Sequence, residues 1–129
     1  MMRGLGLLGG LAGVMLAGCG QHGDEASSGQ VADAPAPTAF ATCASCHSVS
    51  PGRHGAGPSL AGVWGRKAGS APGYAYSPAL KGSGIVWDEQ TLDRWLQGPM
   101  QLVPGTRMVI GLPNPEARQA VIAYLQQLK

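Results

Sequence analysis

Residues 48–86 form a long stretch that contains nine glycines and four prolines and has neither a helical nor a strand-like hydrophobic period. A segment of this length without regular structure is uncommon inside a compact domain, so something other than its own secondary structure must organise it. Because the whole chain has only 129 residues, the domain around this stretch can bury only a thin apolar core. The sequence therefore predicts a fold that closes around a bound group.

The motif that precedes this stretch, CASCH at residues 43–47, indicates which group is bound. In a C-x-x-C-H motif, two thiols about one helical turn apart reach the two vinyl groups of a haem, and the imidazole that follows points at the iron. A zinc site needs a second pair of ligands, and only His22 and His54 remain. A thioredoxin-like site needs a βαβ context, which is absent. A disulfide would leave His47 and the long stretch unexplained. We therefore expect one haem c, covalently attached through Cys43 and Cys46.

Three segments have features of helices. Residues 88–97 begin at an acidic cap, carry apolar side chains at helical spacing and end before a Gly-Pro pair. In a second segment Asn114 is the cap and Pro115 occupies the first helical position. The apolar face of this second helix comprises Ala117, Val121, Tyr124, Leu125 and Leu128. A shorter helix is expected over residues 38–46. No run has the strict alternation of a half-buried strand, so an all-α fold is expected.

The first 18 residues have the pattern of an export signal. Arg3 is followed by residues 4–18, which contain no charged or amide side chain. Six glycines among these 15 residues make a poor permanent membrane span, which needs roughly 20 apolar residues. The segment ends in LAGC at residues 16–19, which resembles the lipobox of bacterial lipoproteins. This resemblance implies that Cys19 becomes the first residue and carries lipid, and two or three acyl chains give stable membrane attachment.

The rest of the chain divides into a linker and one domain. Residues 20–37 are small and polar, without a hydrophobic period, and indicate a flexible linker in which His22 is solvated. The expected organisation is a removed signal peptide over residues 1–18, lipidated Cys19 and linker over residues 19–37, and a domain over residues 38–129. The net charge is only +2, and no cluster of four or more basic residues occurs, which argues against nucleic acid as the partner.

The domain resembles the class I c-type cytochromes, most closely mitochondrial cytochrome c and its bacterial relatives. The matching segments are CASCH at 43–47, GAGPSLAGVWGRKAGSAPGYAYS at 55–77, GIVW at 84–87, TLDRWLQGP at 91–99, PGTRM at 104–108 and VIAYL at 121–125. The resemblance implies a cytochrome c-like fold in which three main helices and long loops wrap around the haem. It also implies electron transfer rather than enzymatic turnover.

By the same resemblance, His47 and Met108 are the axial ligands of the iron. After the signal peptide the chain has only two methionines, and Met108, unlike Met100, ends the PGTRM segment. A thioether ligand favours ferrous iron, and two filled axial positions leave no site for a substrate or O₂. Pro58 is implied to accept a hydrogen bond from the His47 imidazole. The other implied haem contacts are Arg66, Tyr76, Trp87 and Thr106 near the propionates and Trp95 beside the methionine ligand.

The sequence also departs from the family pattern. Trp95 stands where a tyrosine is frequent, and Leu80 stands where an asparagine is common, so the polar contacts on that side should differ. Phe40 lies one residue closer to the motif than usual, which leaves open how the first helix packs against Tyr124. Most lysines that often surround the exposed haem edge are absent, so steering of an acidic partner should be weaker. A membrane tether would offset this by keeping the local concentration high.

The leading hypothesis is a monomeric, membrane-tethered electron carrier on the extracytoplasmic, periplasmic side of a bacterial membrane. It would connect redox partner proteins, such as a quinol-oxidising complex and a terminal oxidase, and would take no small-molecule substrate. Two alternatives stay open, a gas sensor in which Met108 yields its place to NO or CO, and a fixed haem subunit of one larger enzyme. A peroxidase is disfavoured because the chain has a single C-x-x-C-H motif.

Overall fold

The computed structural model describes residues 35–129, so residues 1–18, Cys19 and most of the expected linker lie outside the described residues. Within residues 35–129 the chain forms five α-helices: α1 Ala41–Ala44, α2 Pro78–Lys81, α3 Glu89–Gln97, α4 Pro99–Leu102 and α5 Pro115–Gln127. A 3₁₀ turn, Thr38–Phe40, leads directly into α1. The only β-type pairing in this part of the chain is one bridge between Lys67 and Val86. None of the described helices has the length and apolarity needed to cross a membrane.

The two longest helices begin at the predicted caps. The Asp88 carboxylate accepts a hydrogen bond from the Thr91 amide at 2.8 Å, and the Thr91 hydroxyl oxygen accepts one from the Asp88 amide at 2.8 Å. This reciprocal pair is a capping box, which satisfies amides that the first turn of α3 leaves free. At α5, the Asn114 side chain accepts a hydrogen bond from the Ala117 amide at 2.9 Å. The predicted starts of both helices are therefore confirmed.

The N-terminal helix differs from its prediction over residues 38–46. It starts as a 3₁₀ turn and its α-helical part ends at Ala44. The Cys46 amide donates to the Cys43 carbonyl only three residues back, which tightens the last turn. The Cys46 carbonyl then accepts a hydrogen bond from the Gly57 amide at 2.8 Å instead of continuing the helix. The loop that follows therefore fixes where this helix stops.

Sequence analysis also missed α2 and α4, each of which is a single turn. Both begin with a proline, at Pro78 and Pro99, and Ser77 caps α2 by accepting a hydrogen bond from the Leu80 amide at 3.2 Å. Four residues are too few to produce a hydrophobic period. The Ser-Pro and Gly-Pro pairs are therefore the only local signals from which α2 and α4 could have been predicted.

The core forms where α3, α5 and the N-terminal segment meet. Phe40 contacts Tyr124 edge to face, with ring centroids 4.8 Å apart, which answers how the first helix packs on α5. Trp87 and Trp95 make a second edge-to-face pair at 5.2 Å. The other large core residues are Val63, Leu80, Leu92, Leu96, Val103, Val121, Ile122, Leu125 and Leu128.

The long stretch over residues 48–86 is held by hydrogen bonds and close backbone contacts rather than by regular structure. His54 joins two separate parts of it, because Nδ1 accepts a hydrogen bond from the Ser59 amide at 3.0 Å and Nε2 lies 2.9 Å from the Pro72 carbonyl oxygen. Gly69 has a φ of +73°, and a Cβ at this position would lie 2.8 Å from the Cα of Lys81. The backbone of the stretch therefore passes directly against α2.

Candidate functional site

A cavity of about 350 Å³ lies inside the described part of the chain, within the size range of small-molecule and cofactor sites. Its walls are mainly apolar and come from the N-terminal segment, the long stretch, α3, the PGTRM segment and α5. All ten residues that the sequence analysis assigned to cofactor contacts line this one cavity: Cys43, Cys46, His47, Pro58, Arg66, Tyr76, Trp87, Trp95, Thr106 and Met108. The proposed lipid site, Cys19, lies outside the described residues.

The two motif cysteines stand at the end of α1. Cys43 and Cys46 are half-buried, carry free thiols and both line the cavity. The His47 amide donates to the Cys43 carbonyl at 2.9 Å, so the helical turn that separates the thiols also fixes the backbone position of His47. Burial raises the pKa of the Cys43 thiol above its ordinary value.

His47 is held in one orientation by the loop opposite it. Its Nδ1 lies 2.7 Å from the Pro58 carbonyl oxygen, and because a carbonyl can only accept, Nδ1 carries the proton. This tautomer leaves Nε2 with a free lone pair, as metal coordination by histidine requires. A Cβ at residue 57 would lie 2.6 Å from Nδ1 of the imidazole, so only Gly57 lets the ring lie there.

The two methionines of residues 35–129 have different environments. Met108 is half-buried, packs against the core and lines the cavity. Met100 is 51% exposed on α4 and does not line it. The segment that carries Met108 is fixed on one side by Arg107, whose guanidinium donates to the Ala75 carbonyl at 2.6 Å. Within the described residues, Met108 is therefore the only thioether available to a group in the cavity.

Arg66 brings a positive charge to the cavity wall. Its guanidinium donates to the Ala61 carbonyl at 2.9 Å and to the Ser59 carbonyl at 3.2 Å, and the side chain is half-buried. Two backbone contacts hold the charge in place, because a planar guanidinium is fixed once two of its N–H groups are engaged. A buried carboxylate at this wall would therefore meet a positioned cation.

Three further polar side chains reach the same cavity. Burial raises the pKa of the Tyr76 hydroxyl, although a backbone hydrogen bond at Ala71 and the charge of nearby Arg66 oppose the shift, so the hydroxyl is protonated at neutral pH and can donate. The Trp87 indole and the Thr106 hydroxyl are nearly buried and make no side-chain hydrogen bond to another of the described residues. These groups leave donors for a ligand with anionic oxygens.

His54, the other histidine of the described part, is not available to a metal. Both of its ring nitrogens are engaged, with the Ser59 amide and the Pro72 carbonyl, and the ring packs near Tyr74 at 5.5 Å. It also does not line the cavity. Within residues 35–129, no second histidine is therefore free to complete a zinc site with the C-x-x-C-H motif.

The residues present fit a haem. The mainly apolar cavity presents two thiols on one helical turn, an imidazole with one nitrogen already fixed, one thioether and several hydrogen-bond donors. Imidazole and thioether are the iron ligands of electron-transferring haems, and two thiols can form the covalent attachment. Fold and site together define a c-type cytochrome.

Comparisons with known proteins agree, and the chain belongs to the cytochrome c family, which its residues 34–129 match. It is 52% identical over 96 residues to cytochrome c2 iso-2 of Magnetospirillum fulvum, covering 74% of this chain and 100% of that protein. It is 46% identical over 87 residues to cytochrome c of Sesamum indicum, covering 66% of this chain and 78% of that protein. Among solved structures, cytochrome cH from Methylobacterium extorquens matches with a TM-score of 0.64 and 49% identity, covering 68% of this chain and 90% of that chain.

Family membership confirms four of the predictions. The chain has the all-α cytochrome c fold, carries one haem c attached covalently through Cys43 and Cys46, transfers electrons and is not an enzyme.

The structure adds residues that sequence analysis missed. Gly57 makes room for the His47 ring, and its position directly before Pro58 was the available signal. Arg118 and Asp93, whose side chains are 10% and 26% exposed, form an ion pair between α5 and α3. The signal for Arg118 was its position on the apolar side of α5, one turn before Val121.

Proposed function

We propose that this chain is a membrane-tethered, single-haem carrier that takes one electron from a quinol-oxidising complex or dehydrogenase and delivers it to a terminal oxidase or similar acceptor. In this proposal His47 and Met108 fill the two axial positions of the iron. The observation that carries the proposal is that both side chains line the same cavity as the two motif cysteines, whereas Met100 points away from it into solvent.

Each residue has a distinct task in this proposal. A bound haem supplies the reversible uptake of one electron at its iron. Pro58 holds the His47 ring and increases its basicity through the 2.7 Å hydrogen bond. Met108 favours the ferrous state and keeps other ligands away. The propionate carboxylates would be held by Arg66, Tyr76, Trp87 and Thr106. Trp95, which donates but cannot accept, would replace the usual tyrosine beside the methionine.

The membrane tether rests on the sequence outside the described residues. Lipidation of Cys19 would place the protein on the extracytoplasmic face, in the periplasm. The sequence predicts a flexible linker of 18 residues, which as a coil would span roughly 25 Å and would let the domain turn towards different partners. Confinement to a surface also raises the local concentration, which compensates for a net charge of only +2.

The test of the axial ligands compares two methionine variants of the holoprotein. Met108→Ala should open the sixth position, lower the reduction potential and allow the reduced protein to bind CO rapidly at neutral pH. Met100→Ala is the matched control and should leave the visible spectrum, the potential and CO binding unchanged. An unchanged spectrum and potential in Met108→Ala would show that another residue coordinates the iron.

The same measurement on the unmodified protein separates the carrier from the gas sensor. A carrier with both axial positions filled should bind almost no CO, whereas rapid CO binding by the unmodified reduced protein would favour the sensor. Detergent extraction separates a carrier from a fixed subunit, since co-purification with one enzyme in constant ratio would contradict a mobile carrier.

A further inference from the structure

The segment that follows Met108 is not positioned by secondary structure. Residues 108–114 are irregular, and the amides of residues 107–111 make no backbone hydrogen bond within the described part of the chain. Val109 and Ile110 line the haem cavity and are otherwise little covered by the described residues, with exposed fractions of 66% and 50%. The place of Met108 therefore depends on what holds the two ends of this segment.

One side chain holds the far end. Arg118 of α5 donates from Nη1 to the carbonyls of Leu112 and Pro113, both at 2.9 Å, and from Nε to Oδ1 of Asp93 at 2.8 Å. The Arg118 side chain is only 10% exposed. Gln97 donates to the other Asp93 oxygen at 2.6 Å, so both carboxylate oxygens are engaged. The arginine thus joins α5, α3 and the segment after Met108 in one junction.

The backbone at this junction is pressed against the end of α3. The Leu112 amide donates to the Leu96 carbonyl at 2.6 Å. A Cβ at Gly111 would lie 2.9 Å from the Leu96 carbonyl oxygen and 3.0 Å from that of Gln97. Since Met108 lies four residues before Leu112, it can be at most about 14 Å from this anchor, at about 3.3–3.6 Å per residue. The hydrogen bonds that hold Leu112 therefore limit how far Met108 can move.

We propose that Arg118 is a positioning residue for Met108, and that the hydrogen bonds from Arg118 to Leu112, Pro113 and Asp93 keep the thioether at the iron against competing ligands. This inference rests on the proposed role of Met108 as axial ligand. Charge-assisted hydrogen bonds to positioned acceptors are among the stronger polar contacts in proteins, and three of them converge on one side chain. Their loss should lower the free energy needed to displace Met108 and leave the covalent attachment of the haem intact.

The test is displacement of Met108 by imidazole in the ferric holoprotein, followed by visible absorption. In Arg118→Gln, the apparent Kd for imidazole should fall at least tenfold, because losing even one of the three charge-assisted hydrogen bonds at the anchor corresponds to about that change. Arg94→Gln is the charge-matched control, since Arg94 is exposed on α3 and its side chain makes no hydrogen bond to another of the described residues. It should bind imidazole like the unmodified protein.

A second control separates positioning from general destabilisation. Ile122 is buried on the same helix as Arg118 and does not line the cavity. Ile122→Ala should lower the urea midpoint without a matching change in imidazole affinity. Equal gains in imidazole affinity for Ile122→Ala and Arg118→Gln at equal urea midpoints would overturn the proposal.

If Arg118→Gln does not fold, Gly111→Ala replaces it, because the added Cβ pushes the segment off α3. Unchanged imidazole affinity in Gly111→Ala would also overturn the proposal.

Imidazole affinity in the Met108→Ala variant, with and without Arg118→Gln, distinguishes a failure of this inference from a failure of the proposed function. If Met108 is the ligand, Met108→Ala binds imidazole tightly and adding Arg118→Gln changes nothing further. If Met108→Ala leaves the affinity at its original value, the proposed ligand is wrong. If Met108→Ala raises the affinity and Arg118→Gln alone does not, only the role of Arg118 is wrong.

Discussion

The contact between Phe40 and Tyr124 should carry much of the stability of the N-terminal segment. Phe40 is 4% exposed, and its ring meets Tyr124 edge to face at 4.8 Å, so the turn that precedes the motif cysteines docks on α5 through this pair. We consider the substitution Phe40→Ala, which removes the ring and leaves the backbone of a 3₁₀ turn that alanine tolerates.

The expected loss follows from the burial of the ring. Truncating a buried phenylalanine to alanine costs about 3–5 kcal/mol, which includes the cavity left behind. About 0.5–1.5 kcal/mol of this should depend on the Tyr124 ring, because edge-to-face pairs add that much beyond area burial. Since domains of this size unfold with about 5–15 kcal/mol, Phe40→Ala should remove a large share of the total.

Urea unfolding of the holoprotein, followed by far-UV circular dichroism, measures this loss. A double-mutant cycle with Tyr124→Leu isolates the part that belongs to the pair. Tyr124→Phe is the control, because it keeps the ring, and the Tyr124 hydroxyl makes no hydrogen bond to another of the described residues. A loss below about 1 kcal/mol in Phe40→Ala would refute the reasoning, because a residue so buried would then contribute no more than a surface side chain.

Three further predictions follow from other parts of the molecule. Cys19→Ser should release the protein from membranes into the soluble fraction, and continued sedimentation with membranes would dismiss the lipid attachment. Asn114→Ala should cost about 1 kcal/mol in urea unfolding and leave the visible spectrum unchanged, because it removes only the cap of α5. The hydrogen bond from Arg118 holds the pKa of Asp93 below its ordinary value of 3.8, so this carboxylate stabilises the fold above that value, and the contribution is lost as the pH falls through the lowered pKa. Asp93→Asn should therefore weaken the dependence of the urea midpoint on pH below about 4, whereas a parallel curve would show that Asp93 makes no such contribution.

The parts of the fold that the sequence predicted are those with local signals. Asp88 and Asn114 are caps whose side chains bond amides three residues on, so the starts of α3 and α5 could be placed from residues alone. The stop of α1 at Ala44 could not be placed in this way. It depends on a hydrogen bond between Cys46 and Gly57, which are 11 residues apart, and such pairings leave no local pattern.

The candidate site shows the same division. The motif and the resemblance sufficed to select ten residues that the structure brings to one cavity. The choice between Met108 and Met100 rested on the resemblance, and the structure supplies an independent reason in the exposure of Met100. The junction around Arg118 was missed because its three acceptors lie on two separate segments, and only the folded chain brings them to one guanidinium.

The docking of the N-terminal turn on α5 has a consequence for the order of events in biogenesis. Because a polypeptide is synthesised from its amino end, residues 43–47 are made before residues 115–127. Until α5 is made, Phe40 lacks its Tyr124 partner, and the two motif cysteines lie on a segment that cannot yet dock. The last helix to be synthesised, α5, therefore completes the packing of the segment that carries the haem-binding cysteines.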